Sequence, residues 1–160
     1  MVTDRASFTN DEWDQLVQLP RLVVGAASAA QHDMAYRTTR EIEAGYIASA
    51  NGRQTGNAFV TAVARDTMRI FDEPSTVATT DFADREAGIV SVLAQVRTVN
   101  QLMKSKTDIG DAMAYRGWLL AITDVVITAA KSGDFLGIGG TVVTKSEHRF
   151  RDRLLVVLQS

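Results

Sequence analysis

Two pairs of acidic residues have the side-chain types and spacing expected of a site for a hard divalent cation. In each pair an aspartate follows an alanine-rich apolar segment, and a glutamate ends the next Thr-x-x-Glu pattern. The first pair is Asp33 with Glu41, and the second is Asp134 with Glu147. Calcium, magnesium and manganese take such carboxylate oxygens as ligands. If both members of a pair face the gap between two antiparallel helices, these four residues form candidate metal sites.

The same residues also have a purely structural interpretation. A Thr-x-x-Glu pattern is the capping box that begins many helices, and the helix dipole favours a glutamate in the first turn. An aspartate in a turn can accept hydrogen bonds from nearby backbone. On this interpretation residues 38–41 and 144–147 are primarily helix starts, and Asp33 and Asp134 have no settled role.

Residues that could support catalysis are few. The chain has no cysteine, and its two histidines, His32 and His148, are far apart in sequence. It contains neither the Glu-x-x-His ligand motif of di-iron bundles nor the Gly-x-Ser-x-Gly turn that carries the nucleophile of many serine hydrolases. We therefore expect a protein that is not an enzyme.

One carboxylate interrupts the most apolar stretch of the chain and leaves another function open. Asp124 lies within residues 118–130, where a buried carboxylate needs a counter-charge. Arg116 or an arginine from another helix could supply it, or Asp124 could lie on a narrow exposed strip. As a functional group, Asp124 would mark an enzyme or carrier whose pocket lies between helices, together with Tyr115 or Trp118.

The apolar pattern that must position these residues is helical throughout. Apolar residues recur at three- and four-residue steps, and no window alternates strongly enough to demand a strand. Pro20 predicts a bend followed by a new helix, and Asn51 with Gly52 predicts a left-handed helix end. The predicted helices cover residues 9–19, 20–31, 38–50, 56–72, 81–104, 107–132 and the segment after residue 144.

Two of these helices have more apolar surface than an ordinary surface helix. Residues 107–132 are apolar on nearly all sides, which predicts a central helix. Residues 81–104 carry a straight apolar seam from Phe82 to Met103, which we interpret as surface beyond the needs of one core. With 160 residues, the chain is expected to form one domain, residues 1–160, an all-α bundle of six or seven helices.

The glycine-rich segment 133–140 is a candidate partner-binding loop. It follows a helix and lacks the Gly-Lys-Ser/Thr of a phosphate-binding loop, so nucleotide binding is not expected. Phe135, Leu136 and Ile138 either pack inward or stand exposed as anchors for a partner protein. Beyond this segment, Lys145, Arg149 and Arg153 recur at four-residue steps, which we interpret as a solvated helix face.

The alanine-rich, acidic and Thr-x-x-Glu segments together resemble a known family. Residues 129–134 and 143–147, with a fainter copy in residues 29–33 and 38–41, resemble the repeated units of TerB-like tellurite-resistance domains. The resemblance implies two related helical hairpins, a divalent cation held by Asp33, Glu41, Asp134 and Glu147, and a role in stress response. Residues 135–140 also resemble a segment of uncharacterised small bacterial helical proteins.

Composition narrows the expected partners and location. A formal net charge of -2 gives no field that would attract nucleic acid or an anionic membrane. The first ten residues contain no secretory signal, and residues 118–130 are too few to span a bilayer. We therefore expect a cytoplasmic bacterial protein of a stress or accessory system that binds a protein partner or itself as a homo-oligomer. The alternatives are a TerB-like protein that binds calcium, magnesium or manganese, and an enzyme or carrier with a pocket around Asp124.

Overall fold

The computed structural model describes residues 3–30, 35–72, 82–129 and 145–160. These residues form six α-helices and two short 3-10 helices, Arg5–Ser7 and Asn51–Gln54, with no strand among them. The all-α class and the number of helices confirm the fold predicted from periodicity. The α-helices are α1 (Asn10–Ala29), α2 (Ala35–Ala50), α3 (Ala58–Asp72), α4 (Arg85–Lys106), α5 (Ile109–Ala129) and α6 (Lys145–Gln159).

The start of α1 is set by local sequence, as predicted. Thr9 Oγ1 accepts a hydrogen bond from the backbone N–H of Glu12 at 3.2 Å, and Glu12 Oε2 accepts one from the N–H of Thr9 at 2.8 Å. The rings of Phe8 and Trp13 lie 5.8 Å apart beside this cap and form a hydrophobic staple. Lys106 Nζ also donates to Glu12 at 2.6 Å, and this bond, with the cap, lowers the pKa of Glu12.

The new helix predicted to begin at Pro20 is wrong, because α1 continues through this residue. Pro20 has no N–H to donate to the carbonyl of Leu16, one turn earlier. Tyr115 Oη of α5 donates to that carbonyl at 2.7 Å, and Thr67 Oγ1 of α3 donates to the carbonyl of Val17 at 2.9 Å. Tyr115 thus supplies the donor that Pro20 lacks, and Thr67 adds a hydrogen bond between α3 and the next carbonyl of α1.

Small residues let α1 and α2 pack closely as an antiparallel pair. A Cβ atom built on Gly45 of α2 would lie 2.5 Å from Val24 Cγ1 of α1. Further along the pair, Ser28 Oγ of α1 donates to Glu41 Oε2 of α2 at 2.7 Å. Because α2 begins at Ala35, Glu41 lies in its second turn, and the helix start predicted at residues 38–41 is wrong.

The end of α2 also differs from its prediction. Residues Asn51–Gln54 form a 3-10 helix, and the positive φ of 76° falls at Gly56 instead of Gly52. Gly52 has a packing role, because a Cβ atom there would lie 2.5 Å from Trp118 Cε2. The indole of Trp118 therefore packs directly on the backbone at Gly52.

Two long helices, α1 and α5, lie at the centre of the bundle. Each contacts all five of the other α-helices. The central position predicted for the apolar helix after residue 107 is confirmed, and Asp108 caps it by accepting a hydrogen bond from the Gly110 N–H at 2.8 Å. The large apolar side chains that α5 buries are Tyr115, Trp118, Leu119, Ile122, Val126 and Ile127.

The apolar seam of α4 belongs to the protein's own core. Asp84 caps this helix by accepting a hydrogen bond from the Ala87 N–H at 3.1 Å. Phe82, just before the cap, is partly buried and packs against the core. The interpretation of the seam as surplus apolar surface is therefore wrong. Its fully packed members are Ile89, Val92, Val96, Val99 and Met103.

Hydrogen bonds attach the N-terminal residues to the start of α5. Asp111 accepts hydrogen bonds from the Thr3 N–H at 3.2 Å and from Asn57 Nδ2 at 2.8 Å. Thr3 Oγ1 in turn accepts one from the N–H of Asp108 at 3.0 Å. Burial alone would raise the pKa of Asp111, but the hydrogen bonds from Thr3 and Asn57 outweigh it and lower that pKa.

Candidate functional site

The four candidate metal ligands are located only in part. Asp33 and Asp134 lie outside the described residues. Glu41 is 2% exposed and accepts a hydrogen bond from Ser28, whereas Glu147 lies in the first turn of α6, in agreement with the helix start predicted there. Within the described ranges, no three His, Cys, Asp or Glu side chains form a group that could hold a metal ion. The divalent-cation site stays a prediction.

The predicted partner-binding anchors Phe135, Leu136 and Ile138 also lie outside the described residues. The same is true of the glycine-rich segment that carries them. A binding role for this loop therefore stays a prediction.

Asp124 forms an ion pair at the surface between α5 and α6. Its Oδ1 lies 2.5 Å from Arg151 Nε and its Oδ2 lies 3.2 Å from Arg151 Nη2. This contact raises the pKa of Arg151. The prediction of an arginine from another helix is confirmed, whereas Arg116 donates to Asn100 Oδ1 at 2.8 Å. The Asp124 side chain is 45% exposed, so the ion pair remains in contact with solvent.

The two aromatic residues considered with Asp124 have structural roles. Tyr115 is fully buried, and its hydroxyl donates a hydrogen bond to the carbonyl of Leu16. Trp118 is 5% exposed, and its Nε1 donates to the Ala48 carbonyl at 3.4 Å. Neither polar group is available to a ligand beside Asp124, so the geometry does not favour a pocket built on these three residues.

The Asp124→Asn variant is expected to lose less than about 1 kcal/mol of unfolding free energy, because exposed ion pairs contribute roughly 0.2–1 kcal/mol. Urea denaturation of the wild type and D124N at low and high salt measures this loss, which should shrink as salt screens the pair. A loss above about 3 kcal/mol would instead indicate a desolvated charge network.

An open groove of about 730 Å³ lies between α4 and α6. Its lining residues on α4 have the i, i+3, i+4, i+7 spacing of a single helix face, and those on α6 continue the same periodicity over three turns. Each helix therefore presents one face to the groove. The lining residues are Val90, Leu93, Ala94 and Arg97 of α4, with Lys145, His148, Arg149, Asp152, Arg153, Val156 and Val157 of α6.

The floor of the groove is apolar and partly open to solvent. Leu93 and Val157 are buried, whereas Val90 is 49% and Val156 is 66% exposed. Val90 and Val156 thus extend the apolar floor outward on opposite helices. The groove thus has the concave form, apolar floor and polar border of a candidate binding site.

The rim of the groove is basic. Four cationic lining residues against the single acid Asp152 leave a net charge of +3, with His148 not counted. Arg153 Nη1 donates to Glu86 Oε1 at 2.9 Å. In the part of the chain that the structure describes, no ion pair forms at Arg97, Lys145 or Arg149. The groove therefore combines an apolar floor with unpaired positive charge.

The chain matches no protein-family model, no curated protein and no solved structure. The resemblance to TerB-like domains therefore stays a prediction.

One wall of this groove can be predicted from the sequence. The recurrence of Lys145, Arg149 and Arg153 predicts a solvated face, and the structure places Lys145 and Arg149 exposed and Arg153 half-buried on that face of α6. The signal that could have indicated more is Val156, an apolar residue placed three positions after Arg153 on the same face. On α4, Val90 and Arg97 lie beside the core seam and share the spacing of a second face.

Exposed apolar side chains of the described helices that do not line the groove include two pairs, one on α5 and one on α2. Ile109 and Met113, on the first two turns of α5, are 77% and 64% exposed. On α2, Ile42 is 40% and Ile47 is 59% exposed. Neither pair lines the groove. Ile109 and Met113, like Val90 and Val156, are about half exposed or more, so they provide a comparison for nonspecific binding to exposed apolar side chains.

One described helix is long and apolar enough to cross a bilayer. In α5, 21 residues long, the most apolar 18-residue window has a mean hydropathy of 1.2. In the structure 44% of that window is buried inside the protein. The core helix of a helical bundle satisfies the same length and composition test, so this is weak evidence for a membrane span.

Proposed function

We propose that this protein acts as a binding protein, and not as an enzyme, by holding another polypeptide in the groove between α4 and α6. The observation that supports this is the open apolar floor with Val90 and Val156 exposed on its two sides. Amphipathic helices bind other proteins by laying their apolar face into such grooves. A volume of about 730 Å³ can take several apolar side chains.

The dimensions of the groove suit a short helix. Its α6 wall, from Lys145 to Val157, is roughly 18 Å long at about 1.5 Å per residue, which is the length of a helix of about 12 residues. Its α4 wall, from Val90 to Arg97, is roughly 10 Å long, which corresponds to about two helical turns. Two or three apolar anchors of a partner helix would therefore contact the floor.

The Val90→Gln/Val156→Gln double variant should lose at least about tenfold in affinity for polypeptides selected on the wild-type protein. Each valine loses an apolar contact, and about 1.4 kcal/mol corresponds to a factor of ten in affinity. Peptides are selected from a random helical library of about 14 residues, and their Kd is measured by fluorescence anisotropy. Glutamine is used because it leaves the charge unchanged and favours helix.

The matched control is the Ile109→Gln/Met113→Gln variant. It removes two apolar side chains outside the groove that are 77% and 64% exposed, so it should leave the affinities within about twofold of wild type. Selected peptides that bind equally to the wild type and to V90Q/V156Q would refute the proposed site. Selection that yields no peptide with a Kd below about 1 mM would refute the proposed function.

A further inference from the structure

We infer that the polypeptide held by the groove is an acidic amphipathic helix of a different protein. This inference rests on the proposed function and adds the chemistry of the partner. It is based on how charge is distributed. The whole chain has a formal net charge of -2, whereas the groove lining carries +3. Positive charge is thus concentrated at the groove, although the net charge of the whole chain is negative.

The free cations are placed where they can contact the sides of a bound helix. Arg97 lies at one end of the α4 face, and Lys145 and Arg149 lie on the α6 face. All three are exposed. A helix whose apolar face covers Val90 and Val156 would bring its flanking positions toward these cations. Glutamate or aspartate at those positions would be attracted to them and would fix the orientation of the partner.

A second copy of this chain is a poorer occupant. In a symmetric dimer the same patch meets itself, so two grooves that each carry +3 would be placed together. Like charges juxtaposed at an interface oppose association. The chain's own residues 130–144 are also a poorer occupant, because they contain one lysine and one aspartate and so have no net charge to offset the rim.

Nucleic acid also matches the positive rim but not the floor. Single strands bind on aromatic side chains that stack with bases, and duplexes bind chiefly through phosphate contacts. The described lining includes no Phe, Tyr or Trp. The two exposed valines would make no favourable contact with phosphates, whereas the apolar face of a bound helix would cover both valines.

The inference is tested with three synthetic helical peptides of about 14 residues that share one leucine face. Their flanking positions carry glutamate, glutamine or lysine. At low salt the glutamate peptide should bind at least about tenfold more tightly than the glutamine peptide, and the lysine peptide should bind most weakly. The advantage of glutamate should fall as salt is raised, because rim charges are screened by solvent ions.

Two variants identify the source of this preference. The Arg97→Gln/Arg149→Gln variant should reduce the difference in affinity between the glutamate and glutamine peptides to within about threefold. The control variant, Arg40→Gln/Arg65→Gln, removes two exposed arginines from α2 and α3 and should preserve that difference. If the glutamate and glutamine peptides bind equally but V90Q/V156Q weakens both, the acidic partner is refuted while the proposed function stands. If no peptide, designed or selected from the library, loses affinity in V90Q/V156Q, the proposed function fails as well.

The remaining outcomes identify the other occupants. Binding of a single-stranded 20-nucleotide DNA that R97Q/R149Q abolishes and V90Q/V156Q does not would indicate nucleic acid. Sedimentation that shows a dimer disrupted by V90Q/V156Q would indicate a second copy. Peptide affinity that rises more than about tenfold in the F135S/L136S/I138S variant would indicate that the chain's own segment occupies the groove. Each of these results would overturn the inference.

Discussion

The Gly45→Ala variant is expected to have an unfolding free energy about 1–2 kcal/mol lower than that of the wild type. A Cβ atom at this position would lie 2.5 Å and 2.7 Å from the two Cγ atoms of Val24 and 3.0 Å from Val126 Cγ2. Valine is stiff and both valines are buried, so the helices must move apart or adopt strained rotamers. Overpacking of this kind costs about 1–3 kcal/mol, of which alanine's better helix propensity returns up to about 1 kcal/mol.

Gly117→Ala is the matched control for this substitution. Gly117 is an exposed residue inside α5, and a Cβ atom there would meet nothing within 4 Å. G117A should therefore gain roughly 0.5–1 kcal/mol from helix propensity alone. Thermal denaturation separates the two, since 1 kcal/mol changes the Tm of a domain of this size by about 2–4 °C.

The Val24→Ala/Gly45→Ala double variant shows whether the clash with Val24 is the cause. V24A alone loses buried methyl groups, but it makes room for the new Cβ atom. The double variant should therefore be more stable than the sum of the two single effects predicts, by about 1 kcal/mol. Strict additivity, or G45A as stable as G117A, would contradict the close approach of α1 and α2.

The features of the fold that the sequence predicted are those determined within one helical turn or by one helix's own periodicity. The capping box of Thr9 and Glu12 forms because its partners are three residues apart. The central position of α5 follows from its apolar residues on all sides. Glu41 shows the limit of such local patterns, because Thr38 and Glu41 have the capping spacing although α2 begins at Ala35.

The groove could not be predicted because it depends on which helices are neighbours. The stripe of Lys145, Arg149 and Arg153 on α6 is readable from spacing, and so is the α4 face that contains Val90 and Arg97. The sequence of neither segment indicates that the two faces are neighbours in the fold. Their meeting follows from tertiary contacts such as the hydrogen bond from Asn100 Nδ2 of α4 to the Val157 carbonyl of α6 at 3.1 Å.

Pro20 illustrates the same limit within a single helix. Locally a proline removes a hydrogen bond and predicts a break. The donor that replaces the missing N–H is the hydroxyl of Tyr115, which is 99 positions away from Leu16 in sequence. No property of residues 10–29 alone could reveal that this helix is continuous.

The Tyr115→Phe variant is therefore expected to lose about 1–3 kcal/mol of unfolding free energy, because it leaves the Leu16 carbonyl buried without its donor. A double-mutant cycle with Pro20→Ala tests this reason directly. Alanine restores an N–H at position 20, which can bond to the same carbonyl, so Y115F should cost at least about 1 kcal/mol less in the P20A background. An equal cost in both backgrounds would show that Tyr115 acts through packing alone.

The same variant should change the response of the protein to alkali. Burial raises the pKa of Tyr115 well above its usual value, whereas in the unfolded chain that pKa is about 10. The buried neutral hydroxyl therefore contributes fully to the unfolding free energy of the wild type below about pH 10. That contribution falls as the pH rises toward the folded-state pKa, by up to about 1.4 kcal/mol per pH unit. Y115F lacks the titrating hydroxyl, so its unfolding free energy should fall less steeply between about pH 10 and 11.5. Denaturation curves measured across that range test this difference. The pKa of Tyr46 is also raised, by its hydrogen bond to Asp72, but Tyr46 is present in both proteins and affects them equally. If the two proteins lost stability in parallel, the contribution assigned to Tyr115 would be contradicted.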